Sequence, residues 1–218
     1  MPTITALERQ QKNPRRVNVY LDGRFGLGVD GVLAAGLRIG QQLTTEDIAR
    51  LQGQDTVEKA RGLALEFLAR RPRSEAEVRR RLTEKGHAPE VVDEVLARLR
   101  ELNLVDDEAF ARFWVENRAS FRPRGASGLR YELRQKGVAD EVVDRVLATA
   151  PVDEEAAAYD VARRRAERLL SGPTPVARPE FQRKLGAFLH QRGFDYASSK
   201  EAIARLWREL TSGDDESV

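Results

Sequence analysis

Apolar residues alternate with polar residues along two neighbouring stretches near the start of the chain, over residues 17–21 and again over 25–29. A period of two is typical of β-strands, and the intervening Asp22-Gly23 is a favoured two-residue turn. The pattern therefore predicts a small β-hairpin.

Beyond the hairpin, the apolar residues return at helical spacing. Residues 31–52 predict two short helical pieces interrupted near Gly40, and Thr44 begins a sequence suited to capping the second piece. Since a lone hairpin is marginally stable, we expect it to pack on these pieces or on a partner.

The rest of the chain carries an internal repeat. An apolar pair four residues apart, followed by Lys or Arg and then Gly, occurs within residues 78–86, 129–137 and 185–193. An Arg-Pro pair before each of these segments follows the same offsets of 51 and 56 residues. Agreement among several landmarks indicates tandem structural units.

Each unit predicts three helices. In the first unit, residues 56–70 form a helix, Ser74 begins a capping box for the second helix, and Gly86 ends that helix. Pro89 begins the third helix, whose apolar residues recur every three or four positions. A similar capping box is predicted at 198–201 in the last unit.

These patterns predict an all-α protein with three tandem three-helix repeats, which resemble helix-turn-helix units, after a small N-terminal β-hairpin and short helices. The predicted divisions are 1–55 for the hairpin and short helices, 56–105 for repeat 1, 106–150 for repeat 2, 151–212 for repeat 3 and 213–218 for a disordered acidic tail.

The composition restricts the available chemistry. The chain has 218 residues, 41% hydrophobic and 33% charged, with two histidines and no cysteine. The absence of cysteine excludes disulfides, thiolate metal sites and cysteine nucleophiles. Two histidines leave few candidates for a histidine-based metal site or a catalytic triad. Because the first residues lack an apolar signal core and no long apolar run follows, we expect a cytoplasmic protein that does not contact a membrane.

Motifs for catalysis or cofactor binding are also weak. Residues 26–31 spell G-x-G-x-x-G, which in a βαβ unit would indicate a dinucleotide site. No βαβ unit follows, so we interpret these residues as the glycine-containing second strand of the hairpin. The carboxylates lie in charged helical contexts without the apolar setting that raises a pKa. We therefore expect no enzymatic activity, no cofactor and no metal site.

Positive charge is concentrated locally, although the net charge is only +2. Residues 70–85, 118–136 and 161–192 each hold an excess of basic residues. Any single arginine is more simply a solvated helix residue, but three clusters at similar spacing suggest an acidic protein surface or a polyanion as partner. The candidate basic surface consists of Arg73, Arg79, Arg80, Lys85, Arg118, Arg122, Arg124, Arg130, Arg134, Lys136, Arg183, Lys184 and Arg192.

Residues 106–137 resemble the RecX family of bacterial recombinase regulators. The resemblance rests on the runs DDEAFARFWVENR, RPRG and LRYELRQKGV, and it extends over about residues 56–210. The hairpin sequence VYLDGRFGLGV is similar to the N-terminal extension of some members. The matching positions in the second repeat are Asp106, Asp107, Phe110, Ala111, Val115, Arg118, Gly125, Leu133, Lys136 and Gly137.

The resemblance implies an elongated, curved molecule that binds RecA and the RecA–DNA filament. It implies modulation, usually inhibition, of filament growth, ATP hydrolysis, strand exchange and the co-protease activity of the SOS response. We expect a monomer with weak direct DNA binding as an electrostatic component. A DNA-binding module is the alternative, because three-helix units with basic second helices resemble helix-turn-helix domains.

Overall fold

The computed structural model describes residues 1–149 and 153–212, and the predicted acidic tail at 213–218 lies outside them. The described residues form ten α-helices and one three-stranded antiparallel sheet, which confirms a mostly helical fold. The chain divides into two units, Met1–Arg73 with Glu77–Val105 and Ser74–Ala76 with Asp106–Val218. Among the described helices there is no candidate membrane span.

The first unit begins with a sheet of three strands in the order β1 (Ile4–Arg9), β2 (Arg16–Leu21) and β3 (Arg24–Asp30). The β2–β3 hairpin confirms the prediction, and Asp22 and Gly23 both have positive φ, as its two-residue turn requires. The predicted hairpin was incomplete, because β1 pairs with β2. A register shift near the start of β1 interrupts its period of two, which hides the strand in the sequence.

Two helices follow the sheet, α1 (Gly31–Ala34) and the 24-residue α2 (Thr45–Leu68). Thr44 and Asp47 form a reciprocal capping box at the start of α2, which confirms the predicted cap. The separate helix predicted over 56–70 is wrong, since α2 runs without a break through residue 55, where the sequence had suggested a division.

Asp55 shows why α2 continues through this polar stretch. Its buried carboxylate accepts hydrogen bonds from both terminal nitrogens of Arg16 at 3.0 Å and from the Asp30 backbone N–H at 2.8 Å. The Lys59 ammonium lies 2.8 Å from the same carboxylate. Burial alone favours the neutral acid, but hydrogen bonds and charge from Arg16 and Lys59 outweigh it and hold the pKa of Asp55 below its ordinary value. An ionised carboxylate therefore joins the sheet to the middle of α2.

The second half of α2 packs with two shorter helices, α3 (Glu75–Glu84) and α4 (Pro89–Glu101). Gly86 follows α3 with a φ of +82°, which confirms the predicted helix stop, and Pro89 occupies the first turn of α4 as predicted. Their shared core contains Ala60, Ala64, Val78, Leu82, Val92, Val95, Leu96, Leu99 and Val105.

The second unit holds two further groups of three helices. One comprises α5 (Asp107–Phe121), α6 (Ala126–Gln135) and α7 (Asp140–Thr149), and the other comprises α8 (Glu154–Leu170), α9 (Arg178–Gln191) and α10 (Tyr196–Thr211). Each group encloses its own apolar core, which includes Phe110, Leu129, Leu133 and Val143 in one and Phe181, Leu185, Leu189 and Leu206 in the other.

The start of α10 differs from the prediction. Asp195 caps the helix by accepting a hydrogen bond from the Ser198 backbone N–H at 2.7 Å, so the capping box predicted at 198–201 is wrong. Asp is as good an N-cap as Ser, and here the aspartate comes first along the chain. Ser199 consequently lies inside α10, where it is buried.

Replacement of Asp55 by Ala is expected to destabilise the first unit by about 3 kcal/mol, because the buried Arg16 guanidinium loses its carboxylate partner. The pKa of Asp55 is lowered in the folded chain, so this stabilisation is fully present above the ordinary aspartate pKa of about 3.9 and is lost as the pH falls through the lower folded value. Urea unfolding of the wild type and Asp55→Ala at neutral and acidic pH measures the difference in stability. Exposed Glu66 on the same helix provides the control, Glu66→Ala. If the difference in unfolding free energy between the wild type and Asp55→Ala is the same at about pH 3 as at neutral pH, the ionised contact is contradicted.

Candidate partner-binding cleft

The end of α5, the loop after it, α6, α8 and the end of α9 surround a cleft of about 660 Å³ in the second unit. Its lining includes five arginines and one acidic residue, Glu132. The residues that line this basic cleft are Arg118, Phe121, Arg122, Pro123, Arg124, Glu132, Val161, Arg164, Phe188, Gln191 and Arg192.

Glu132 on α6 positions one wall of the basic cleft. Its carboxylate accepts hydrogen bonds from the Trp114 indole N–H at 2.8 Å and from Arg118 Nε at 2.6 Å. Arg124 Nε lies 2.7 Å from the other carboxylate oxygen. The Arg118 guanidinium also stacks over the Trp114 ring, 4.3 Å from its centroid. Since one carboxylate holds two guanidinium groups, the cleft keeps an excess of positive charge.

The remaining cations face the cleft without a carboxylate. Within residues 1–149 and 153–212, neither Arg122 nor Arg164 forms an ion pair, and both side chains are exposed. Arg192 lies over the Phe188 ring, 4.7 Å from its centroid, so that ring orients its guanidinium. Phe121 is 77% exposed at the cleft. Unpaired guanidinium groups beside an exposed aromatic ring suit carboxylates or phosphates attached to an apolar or planar group.

A close backbone contact brings the two sides of the cleft together. A Cβ atom on Gly193 would lie 2.1 Å from the Gly128 backbone nitrogen, and one on Gly128 would lie 2.4 Å from the Arg192 carbonyl oxygen. Gly193 also has a φ of +79°, a conformation that strains other residues. The Ser127 hydroxyl donates a hydrogen bond to the Gly193 carbonyl oxygen at 2.7 Å. The end of α9 therefore rests directly on the start of α6.

Glu154 reinforces the same contact from α8. One carboxylate oxygen accepts a hydrogen bond from the Ala126 backbone N–H at 2.6 Å, and the other accepts one from the Asp195 N–H at 3.2 Å. Ala126 and Asp195 lie at the starts of α6 and α10, where free N–H groups favour a negative charge. One side chain therefore ties together three helices of the second unit.

The structure brings only part of the predicted basic surface into this cleft, namely Arg118, Arg122, Arg124 and Arg192. Four other predicted residues form ion pairs along their own helices or with a neighbouring helix: Arg79 with Asp93, Arg130 with Asp144, Arg134 with Asp140, and Lys184 with Glu180. Lys136 lies over Trp114 and Arg73 over Phe67, while Arg80, Lys85 and Arg183 are exposed. Within the second unit, the cleft therefore collects four of the predicted residues, while Arg130, Arg134 and Lys184 are paired outside it.

Arg164, Phe121 and Phe188 line the cleft but were absent from the predicted set. Arg164 belongs to the basic stretch 161–192, whose sequence does not indicate which of its arginines faces a partner. The aromatic residues have ordinary helical spacing and carry no separate sequence signal. No cluster of three or more His, Cys, Asp or Glu suited to a metal ion occurs in the described part of the chain.

Comparisons with known proteins give the family. Three family models match: "Regulatory protein RecX N-terminal domain" over residues 2–44, "RecX, first three-helix domain" over 60–99 and "RecX, second three-helix domain" over 106–147. A protein named regulatory protein RecX from Bacillus licheniformis is 31% identical over 215 residues, which cover 98% of this chain and 81% of that protein. The chain belongs to the RecX family.

Other RecX relatives agree. The regulatory protein RecX of Bacillus subtilis is 30% identical over 94% of this chain and 78% of its own length. A crystal structure of regulatory protein RecX superimposes with a TM-score of 0.76 at 26% identity, covering 94% of this chain and all of that one. RecX from Lactobacillus salivarius, at 22% identity and a TM-score of 0.59, shares the fold over 72% of this chain and 97% of its own. The resemblance found in residues 106–137 is thereby confirmed.

The contact between Gly193 and α6 predicts a stability difference between two glycines of similar backbone conformation in this RecX chain. Gly86→Ala is expected to cost about 1 kcal/mol from its positive φ alone, because a Cβ there meets no atom within 4 Å. Gly193→Ala adds a collision with the Gly128 backbone and is expected to cost about 3 kcal/mol. Urea unfolding of the two variants measures both values, and equal losses would show that the close contact does not contribute.

Proposed function

We propose that this RecX-family chain binds RecA and the RecA–DNA filament and modulates RecA, usually by inhibition. The affected activities are filament growth, ATP hydrolysis, strand exchange and co-protease function in DNA repair, recombination and the SOS response. Relatives over nearly the whole chain are named regulatory proteins, and no enzymatic role is needed to account for the residues described. We propose a monomeric, cytoplasmic regulator.

The basic cleft supports a partner-binding role more than any other surface in the second unit. It combines unpaired guanidinium groups with an exposed aromatic ring, and it lies where two three-helix groups meet through a backbone contact. A RecA–DNA filament offers acidic side chains and phosphates, and both match this chemistry. We propose the basic cleft as a main contact, with other basic residues of the candidate surface as a weaker electrostatic contribution.

The alternative, a helix-turn-helix-like module whose basic second helix enters a DNA groove, is less well supported. On α6, Arg130 and Arg134 lie 2.6 and 2.5 Å from carboxylates of α7. Side chains that are held by neighbouring acids are less available to read base edges. The cleft cations Arg122 and Arg164 remain suited to phosphates, so direct DNA binding fits better as a sequence-independent contribution.

The regulatory proposal predicts an effect at low stoichiometry. A regulator of filament growth affects many subunits per molecule, so fewer than one copy per RecA is expected to lower the DNA-dependent ATP hydrolysis of the cognate RecA. Steady-state ATPase assays with preformed and growing filaments measure this effect. Unchanged ATP hydrolysis and strand exchange up to equimolar protein would contradict the proposed inhibition.

If the basic cleft is a main contact, the affinity for RecA filaments depends on arginines at the cleft and not on the total charge of the chain. A charge-reversed variant with Arg122→Glu, Arg164→Glu and Arg192→Glu is expected to bind RecA filaments at least about tenfold more weakly at about 0.15 M salt, with a flatter salt dependence. The matched control, Arg80→Glu with Arg183→Glu and Arg208→Glu, changes net charge equally at exposed positions outside the cleft. Fluorescence anisotropy with RecA filaments and with bare DNA measures both.

The pattern of losses identifies the partner chemistry. Weaker binding of the cleft variant to filaments alone indicates a protein contact, whereas weaker binding to filaments and DNA indicates a shared polyanion site. If the control variant loses as much affinity as the cleft variant, general surface charge explains the binding and the cleft has no special role. Unchanged melting temperatures of both variants exclude loss of folding as the cause.

A further inference from the structure

Within the described residues 153–212, the third three-helix group has no counterpart of an ion pair that the first two groups share. Arg79 on α3 pairs with Asp93 on α4 at 2.5 Å, and Arg130 on α6 pairs with Asp144 on α7 at 2.6 Å. The repeat offset of 56 residues places Gly186 and Lys200 at the corresponding positions of α9 and α10. Both members of the pair are therefore replaced in the last group.

These replacements open a groove between α9 and α10, here called the α9–α10 groove. It has a volume of about 610 Å³, and its lining includes Gly186, Ala187, Phe194, Ser199, Lys200 and Ile203. Among the residues that the structure describes, none lines both this groove and the basic cleft. The size and apolar lining are those of a site that receives large apolar groups.

Gly186 does not serve the packing of the chain itself. It lies inside α9, where glycine disfavours a helix, and a Cβ there would meet no atom within 4 Å. The absence of a side chain at this position instead leaves the groove open beside Ile203. An arginine at position 186, equivalent to Arg130 in the preceding group, would lie across the α9–α10 groove.

Two polar groups in the groove have no partner in the part of the chain that the structure describes. Ser199 is only 6% exposed, and its hydroxyl oxygen makes no hydrogen bond among residues 1–149 and 153–212. Lys200 forms no ion pair within those same residues. The carboxylate of Asp195, at the end of the groove, is engaged with the Ser198 N–H and hydroxyl. The exposed Lys200 ammonium beside the apolar lining therefore suits a ligand that carries a negative charge next to an apolar group.

We propose that the α9–α10 groove binds a short peptide segment of a partner protein that presents a large apolar side chain next to a carboxylate. The apolar side chain occupies the space over Gly186 and Ile203, and the carboxylate pairs with Lys200. The groove and the basic cleft are separate, so this inference does not depend on the proposed function.

The test uses the full chain, labelled with ¹⁵N, and two synthetic hexapeptides. One contains Leu and Phe flanked by Asp and Glu, and the other replaces the acids by Asn and Gln. The acidic peptide is expected to shift the amide signals of Gly186, Ser199 and Ile203 with a Kd below about 1 mM, and the neutral peptide to bind at least about threefold more weakly. Absence of these shifts with both peptides, or equal affinity for the two, overturns the proposal.

A double variant, Gly186→Arg with Lys200→Asp, introduces the ion pair that closes the equivalent position at Arg130 and Asp144. It is expected to fold, since Arg favours a helix more than Gly and the site has room, and to lose the peptide-induced shifts. Retention of those shifts in the double variant would show that the peptide binds elsewhere.

Lys200→Glu provides a test that leaves the apolar bed and the helix interior unchanged. It is expected to weaken binding of the acidic peptide at least about tenfold while it leaves affinity for the neutral peptide unchanged. Equal effects on both peptides contradict a role for the ammonium group. If the same amide signals shift with protein concentration when no peptide is present, a second copy of the chain covers the groove, and the peptide proposal is wrong.

Discussion

The backbones at the start of α6 and the end of α9 meet without side chains between them, and the basic cleft depends on that contact. Gly125, Gly128 and Gly193 allow this approach, since a Cβ on any of them would lie less than 2.5 Å from a backbone atom of the other segment. Glu154 adds hydrogen bonds to the starts of two helices at the same place. Rigid backbone packing of this kind fixes where neighbouring arginines emerge, which flexible side-chain contacts would not do.

Some arginines of the chain form ion pairs with neighbouring carboxylates, and others are exposed and can bind an external anion. Arg79, Arg130 and Arg134 each meet a carboxylate on the following helix. Water screens exposed pairs of this kind, so they add little to stability, but they occupy the guanidinium groups. Arg122 and Arg164 have no such partner within the described residues, so they can meet an external anion without first breaking an internal pair.

The repeated three-helix groups keep one backbone plan while their surfaces change. A glycine with positive φ follows the second helix in each group, at Gly86, Gly137 and Gly193. The surrounding side chains are less constrained, because the helix stop requires only the left-handed conformation. Position 186 can therefore carry glycine where the preceding group has Arg130. The same fold then has an ion pair between two helices in the second group and an open groove at the equivalent place in the third.

The sequence alone determined the helical class, the β2–β3 hairpin and the helix stops, because periodicity and turn residues act over a few neighbouring positions. It missed β1, whose irregular register breaks the alternation, and it divided α2 at Asp55, whose partners Arg16 and Asp30 lie far away along the chain. It also found Arg118, Arg122, Arg124 and Arg192 without indicating that they share a cleft with Arg164. Only the tertiary structure decided which cations are paired and which are available, because that depends on the carboxylates and backbones that folding brings beside them.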